Sequence, residues 1–165
     1  MIILDFQVDE EELENCLAGI EDGIENIDSG CFVTTMFLMP LRMCLTGLEI
    51  FKINEKNCWS QGPIMDLATL GLMAIRELKW KKKDEHQIIE GPGDFVFTMI
   101  GDEDVYVEFT RGYAITVKYD ALLEAFEKYS EKVRNFLKVR APQINDHPYW
   151  GPWLRGEREC KRYLA

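Results

Sequence analysis

Histidine is scarce in this chain, and its two copies, His86 and His147, lie far apart. Neither has a cysteine or a second histidine at the spacing that zinc ligands require. No ladder of Asp and Asn residues matches a calcium-binding loop. The sequence therefore predicts no metal site.

The chain also lacks a C-x-x-C pair, although it contains five cysteines. Disulfide frameworks in secreted proteins are dense and usually use an even number of cysteines. We therefore expect free, reduced thiols in a cytoplasmic protein. The cysteines are Cys16, Cys31, Cys44, Cys58 and Cys160.

No hydrophobic run looks long enough to cross a bilayer. The most apolar stretch, from Cys31 to Phe51, is interrupted by Pro40, Arg42 and Glu49, which a membrane helix tolerates poorly. The first residues lack the basic start and apolar length of a secretory signal. We expect neither a leader nor a membrane partner.

Catalytic signatures are missing as well. Serine occurs three times, and none of the three lies in a nucleophile elbow. Cys58 or Cys160 could be combined with His147 on paper, but no local motif supports the combination. The glycines at Gly91 and Gly93 are not followed by the helix that a phosphate loop needs. The sequence predicts no enzyme and no cofactor.

Apolar and acidic residues are abundant. In 165 residues, 47% are hydrophobic and 12% aromatic, which suffices for one domain, residues 1–165, with a real core. The 29 acidic and 19 basic residues give a net charge of −10. That charge disfavours nucleic acid and anionic membranes as main partners, because both need a cationic surface.

Hydrophobic periodicity predicts an α+β fold, a mainly antiparallel sheet packed with about three helices. Pro40 is interpreted as a strand end, residues 81–86 as a solvated connection and Asp120 as a helix cap. For residues 31–51 a buried helix remains an alternative to strands. Helices are expected near 9–28, 63–80 and 120–138, and strands near 2–8, 31–39, 41–53, 95–100, 105–110 and 113–119.

An aromatic patch lies in the C-terminal segment, which is expected to be irregular. Tyr149, Trp150 and Trp153 lie within five residues, separated by Gly151 and Pro152. One interpretation is that this segment folds back and completes the core. The other is that these residues are rigid aromatic anchors at an interface.

The distribution of charge is the strongest signal. Residues 5–28 contain ten acids and no Lys or Arg, so they carry −10, while the remaining 19 acids and 19 bases cancel. On a helix with about 100° per residue, one stripe beside the apolar arc collects five of the acids. They are Glu10, Glu14, Glu21, Glu25 and Asp28.

This stripe carries a cost, because like charges four residues apart destabilise a helix by about 0.2–0.5 kcal/mol per pair. Glu25 and Asp28 also lie at the end of the predicted helix that disfavours negative charge. One hypothesis is a preformed anionic patch for a cationic partner, with Asp102, Glu103 and Asp104 as a second patch. A solubilising face is the alternative.

The general character of the chain resembles the small acidic immunity proteins that bacteria carry against polymorphic or contact-dependent toxins. The stretch from Val105 to Val117, followed by Asp120 to Phe126, is similar in style to their strand–strand–helix units. The resemblance implies a tight, stoichiometric inhibitor of a cationic toxin, often a nuclease. The alternative is a small enzyme or ligand-binding domain with a pocket near the Trp-rich C-terminal segment.

Overall fold

The computed structural model describes residues 1–21, 23, 36–51, 61–87, 93–110 and 112–157, which form an α+β fold with two antiparallel sheets. The first sheet contains β1 (Ile2–Phe6), β2 (Leu38–Leu45), β3 (Leu48–Phe51) and β4 (Gln61–Pro63). The second contains β5 (Lys83–Gln87), β6 (Asp94–Ile100), β7 (Asp104–Phe109) and β8 (Tyr113–Lys118).

Three long helical stretches lie where the periodicity predicts them, which confirms the α+β expectation. The second is continuous but mixed, since a π-helical segment separates two α-helical parts. The helical elements are α1 (Glu10–Glu21), α2 (Ile64–Asp66), the π segment (Leu67–Gly71), α3 (Leu72–Lys81), α4 (Tyr119–Arg140), a 3-10 helix (Pro142–Asp146) and α5 (Trp150–Leu154).

The first sheet is built around β2, and the predicted break at Pro40 is wrong. β2 continues through Pro40, whose carbonyl accepts a hydrogen bond from the Gln7 amide. Proline removes only a donor, so the strand keeps its acceptor at this position. The chain reverses instead at Thr46 and Gly47, which have φ angles of 49° and 96°. Residues 31–35 and 52–53 of the predicted strands lie outside the described residues.

The second sheet is a meander in which β6, β7 and β8 follow the prediction closely. Residues 81–86 are not a solvated connection, because β5 begins at Lys83 and pairs along β6. Lys83 and Glu85 are exposed while His86 is buried. An edge strand with charged outward positions resembles a loop in sequence. The short strand β4, which lies outside the strands expected from periodicity, pairs with β2.

The long helix α4 joins the two sheets through aromatic contacts. Phe126 meets Phe97 of the second sheet edge to face, with centroids 6.3 Å apart. Phe6 of β1 lies against Tyr129 and Phe136 on the same helix, at 6.1 and 5.2 Å. The core is therefore continuous from one sheet to the other across α4.

The helix starts agree with the sequence at α1 and differ at α4. The Asp9 carboxylate accepts a hydrogen bond from the Glu12 amide at 3.2 Å, so Asp9 caps α1 where a helix is expected to begin. Asp120 does not cap α4, because the helix begins at Tyr119, whose amide donates to the Glu103 carbonyl. α1 is described to Glu21; residues 22 and 24–28 lie outside the described residues.

Cys16 and Cys44 are buried free thiols, while Cys31, Cys58 and Cys160 lie outside the described residues. In the part of the chain that the structure describes, no helix is long and apolar enough to cross a membrane.

Candidate functional site

The acidic helix α1 packs by one face only. Leu13, Cys16 and Ile20 are buried, at 1%, 7% and 2% exposure. Their spacing of three and four residues turns the remaining surface of the helix outward. The exposed acids on that surface are Glu10, Glu11, Glu14 and Glu21. The burial pattern therefore presents the predicted acidic stripe to solvent as far as α1 is described.

Two acids near the start of α1 are neutralised by α4. Arg140 donates two hydrogen bonds to the Glu10 carboxylate, and Lys132 donates to Asp5. The hydrogen bond from Arg140 lowers the pKa of Glu10. Glu10 is thus a structural acid that helps to hold α1 against the end of α4, although the stripe predicts it as an uncompensated binding residue.

Glu14 and Glu21 differ from Glu10 in having no cation beside them. Both are exposed, and neither forms an ion pair within the described residues. Glu21 lies in the last turn, where the helix carries no basic residue. Glu25 and Asp28, the other two members of the predicted stripe, lie outside the described residues.

The second predicted patch, at the turn between β6 and β7, is charge-compensated. Lys118 contacts Asp104 at 2.9 Å and Glu103 at 3.4 Å, and Lys82 lies 3.5 Å from Asp102. The pKa of Lys118 is raised mainly by its hydrogen bond to Asp104 and, to a smaller extent, by its hydrogen bond to Glu103. These three acids therefore form a mixed-charge surface rather than an anionic one.

The predicted aromatic anchors belong mostly to the core. Trp150 and Trp153 are 0% and 4% exposed and meet edge to face, with centroids 5.9 Å apart. Tyr149 is partly buried beside them. His147 fixes this turn, since its Nδ1 accepts from the amides of Tyr149 and Trp150 at 3.2 and 3.0 Å. The packing favours the interpretation in which the C-terminal segment completes the core.

A buried ionisable pair was not anticipated from the sequence. Asp66, at the end of α2, and His86, on β5, lie 3.2 Å apart between Oδ1 and Nε2, with side chains 0% and 4% exposed. The ring nitrogen is not aligned for a hydrogen bond. The hydroxyl of Tyr129, also buried, has no hydrogen-bond partner within the described residues. Asp66 is the only acid in the apolar run from Ile64 to Ile75, and that was the available signal.

A groove of about 390 Å³ opens between the π segment, α3, α4 and the C-terminal segment. Ala68, Thr69, Leu72, Met73 and Arg76 form one wall. Ser130 and Arg134 of α4 form the other, and Trp153, Gly156 and Glu157 complete the described lining. The volume lies within the range of small-molecule sites. Sequence analysis anticipated a pocket near the Trp-rich segment only as an alternative.

Close packing beside this groove depends on Gly71 in the π segment. A Cβ at Gly71 would lie 2.9 Å from Cε1 of Phe126, so only glycine lets the π segment approach α4 this closely. π-Helical insertions occur frequently at functional sites. The local geometry therefore brings residues from three parts of the chain to one concave surface.

The described residues contain no group of three or more His, Cys, Asp or Glu side chains that could hold a metal ion. Of the two histidines, one contacts Asp66 and the other caps a turn, as described above. The chain matches no protein-family model, no curated protein and no solved structure.

Proposed function

We propose that this chain is a non-catalytic acidic binding protein of the bacterial cytoplasm, an immunity protein that neutralises a cognate toxin by tight stoichiometric binding. The cationic surface of the toxin would face α1. The observation that carries the proposal is the contrast along α1: Glu10 is paired with Arg140, whereas Glu14 and Glu21 are exposed and form no ion pair with any residue that the structure describes.

Helix stability alone gives no reason for this arrangement. Glu21 lies in the last turn of α1, where the helix dipole disfavours a negative charge. A lysine in the last turn would relieve that cost, and none is present. Acids that remain uncompensated on a well-packed helix are a preformed surface for a cationic partner.

Such a surface contributes mainly to the rate of association. Complementary charge steers encounter and accelerates it by about 10- to 1,000-fold at low salt, with screening over about 10 Å at 0.1 M. Long residence would need apolar anchors as well. Trp150 and Trp153 are in the core, so the exposed side chains of Trp80 and Val139, at 68% and 77%, become the better candidates.

The test uses the product of the neighbouring gene in the source genome as the candidate toxin. The variant Glu14→Lys/Glu21→Lys is compared with Glu108→Lys/Glu131→Lys, whose two acids are also exposed and unpaired within the described residues. Both variants change the net charge equally. Because exposed charges contribute little to stability, both should unfold like the wild type within about 0.5 kcal/mol.

We expect the α1 variant to associate about tenfold or more slowly and with a flatter salt dependence, measured by stopped-flow mixing at several salt concentrations. The association rate of the control variant should decrease much less. Equal losses in the two variants would mean that net charge, and not α1, steers the encounter. An unchanged rate in the α1 variant would also refute the proposed surface.

A further inference from the structure

The described lining of the groove between the π segment and α4 has a charge opposite in sign to that of the whole chain. Among the described residues that line it, Arg76 and Arg134 are basic and Glu157 is acidic. Glu157 is held by Arg155 through two hydrogen bonds, and these lower its pKa. In a chain of net charge −10, a groove with this balance is unusual.

Arg134 is the residue that makes this groove a candidate anion site. No salt bridge or hydrogen bond engages its guanidinium in the part of the chain that the structure describes. Its Nη1 lies 3.6 Å from the position of a Cβ at Gly156, so the charged group lies beside the part of the lining that the C-terminal segment contributes. Guanidinium donors match the two oxygens of a carboxylate or phosphate.

Ser130 lies on the same wall as Arg134, and Arg76 lies on the facing helix α3. Ser130 lies one turn before Arg134 on α4, and therefore on the same helix face. Arg76 is held by Glu127 at 3.0 Å and adds positive charge across the groove. The hydroxyl of Thr69 donates a hydrogen bond to the Met65 carbonyl, at 2.6 Å. The polar hydrogens for an anion therefore come from the α4 side and not from Thr69.

The lining also has an apolar part, to which Leu72, Met73 and Trp153 contribute. A second groove of about 370 Å³ adjoins it over Arg76, Ser130 and Arg134. That groove is lined by acids, of which Glu124 is paired with Lys128 and Glu127 with Arg76, while Glu131 is unpaired within the described residues. An anionic group is therefore favoured at the Trp153 end rather than beyond Ser130.

We propose that this groove binds a small molecule with one oxyanion group, a carboxylate or a phosphate, held by Arg134 and Ser130, with its apolar part against Met73 and Trp153. This site is separate from the acidic face of α1, so its existence does not depend on the proposed toxin partner. It would make the protein a ligand-binding domain in addition to a protein-binding one.

Isothermal titration of the full chain with three probes tests the proposal. Hexanoate carries the oxyanion and an apolar body, hexanamide is its neutral match, and inorganic phosphate carries the oxyanion alone. Arg134→Gln removes the charge and keeps the stem, and Arg134→Lys keeps the charge without the planar fork. Lys138→Gln is the control, because Lys138 is exposed on the same helix and lies outside the groove lining.

We expect saturable binding of hexanoate, phosphate or both to the wild type and to Lys138→Gln. Arg134→Gln should weaken it about tenfold or more, and Arg134→Lys should restore part of the loss. Hexanoate alone would identify a carboxylate ligand, and phosphate alone a phosphorylated one. If Arg134→Gln fails to fold, Ser130→Ala provides a second variant that should weaken binding to a smaller degree.

Three results would overturn the proposal. The first is the absence of saturable binding of either anion to the wild type. The second is binding of hexanamide as tight as that of hexanoate, which would remove the requirement for charge. The third is an equal loss of affinity in Arg134→Gln and Lys138→Gln, which would leave only a general effect of net charge.

Discussion

Replacing His86 should destabilise this protein more than replacing an exposed charge, because the buried Asp66 carboxyl would lose the polar ring that lies beside it. The two side chains are 4% and 0% exposed and lie 3.2 Å apart. His86→Phe preserves the ring shape on β5 and removes the pairing nitrogen. Leaving a buried polar group without its partner costs about 1–3 kcal/mol, which is a substantial share of a typical stability of about 5–15 kcal/mol.

The double replacement Asp66→Leu/His86→Phe should behave differently. Exchanging both members of a buried pair for apolar residues is often neutral or stabilising, and here it would also remove an interaction that lacks hydrogen-bond alignment. Tyr129 reports the same environment: burial raises its pKa well above the usual value, and the Asp5 and Asp66 carboxylates add to the increase. We expect the double variant to lie within about 1 kcal/mol of the wild type.

The assay is urea unfolding of both single variants, the double variant and the wild type, analysed as a double-mutant cycle. The control cycle uses Lys82 and Asp102, which lie 3.5 Å apart but are 57% and 93% exposed. That pair should couple by less than about 1 kcal/mol. The reasoning fails if His86→Phe costs less than about 1 kcal/mol, or if the double variant loses the sum of the single losses.

Two further predictions concern α1 and the π segment. Gly19→Ala on α1 should stabilise the protein by about 0.5–1 kcal/mol, because a Cβ there meets nothing within 4 Å. Gly71→Ala should destabilise the protein, because its Cβ would lie 2.9 Å from the buried Phe126 ring. Urea unfolding of both variants measures the two signs, and stabilisation by Gly71→Ala would contradict the packing of the π segment. Burial raises the pKa of the Cys16 thiol to about 11, above its ordinary value of 9.0, although a hydrogen bond from the Phe37 amide opposes the increase. The native thiol should therefore resist alkylation at pH 8, and peptide mass spectrometry measures the extent of alkylation. Its contribution to stability should be complete below about pH 9 and lost as the pH rises through about 11, so an identical alkaline decline in Cys16→Ala would exclude Cys16 as its source.

The elements with strong periodicity could be predicted from the sequence. The long helix α4 follows the spacing of Leu122, Phe126, Tyr129, Val133 and Leu137, all of which are buried. The meander from β6 to β8 follows alternation between turns that contain Gly101 and Gly112. In both cases the signal is local, because one face of the element is apolar along its whole length.

The elements that the sequence prediction missed depend on partners far along the chain. β5 reads as a charged connection, and it is a strand because β6 pairs with it over five residues. The three residues of β4 pair with β2 across Pro40, although glycine and proline disfavour a strand there. His86 is buried only because β5 aims it at the helix that carries Asp66. Periodicity within one segment contains none of this information.

The sequence predicts that acidic residues share one stripe of α1, but not which of them are paired with a cation in the fold. Glu10 and Glu14 look equivalent in sequence, one turn apart on the same helix. Arg140, 130 residues further along, pairs with Glu10 and leaves Glu14 exposed without a cation in the described residues. The turn acids are likewise distinguished by Lys82 and Lys118. Which acids are structural is decided by the fold.

The fold also decides which of the basic residues around α4 are paired with an acid. Lys132 and Arg140 neutralise acids on β1 and α1, and Arg76 holds Glu127, whereas Arg134 on the same long helix contacts no acid within the described residues. A chain with an excess of acids could neutralise every arginine, because carboxylates are plentiful around α4. An unpaired glutamate on α1 is therefore weaker evidence of a site than an unpaired arginine beside a groove. The proposed anion site therefore rests on an unpaired arginine, which is less expected in this acidic chain than the unpaired glutamates on which the proposed α1 surface rests.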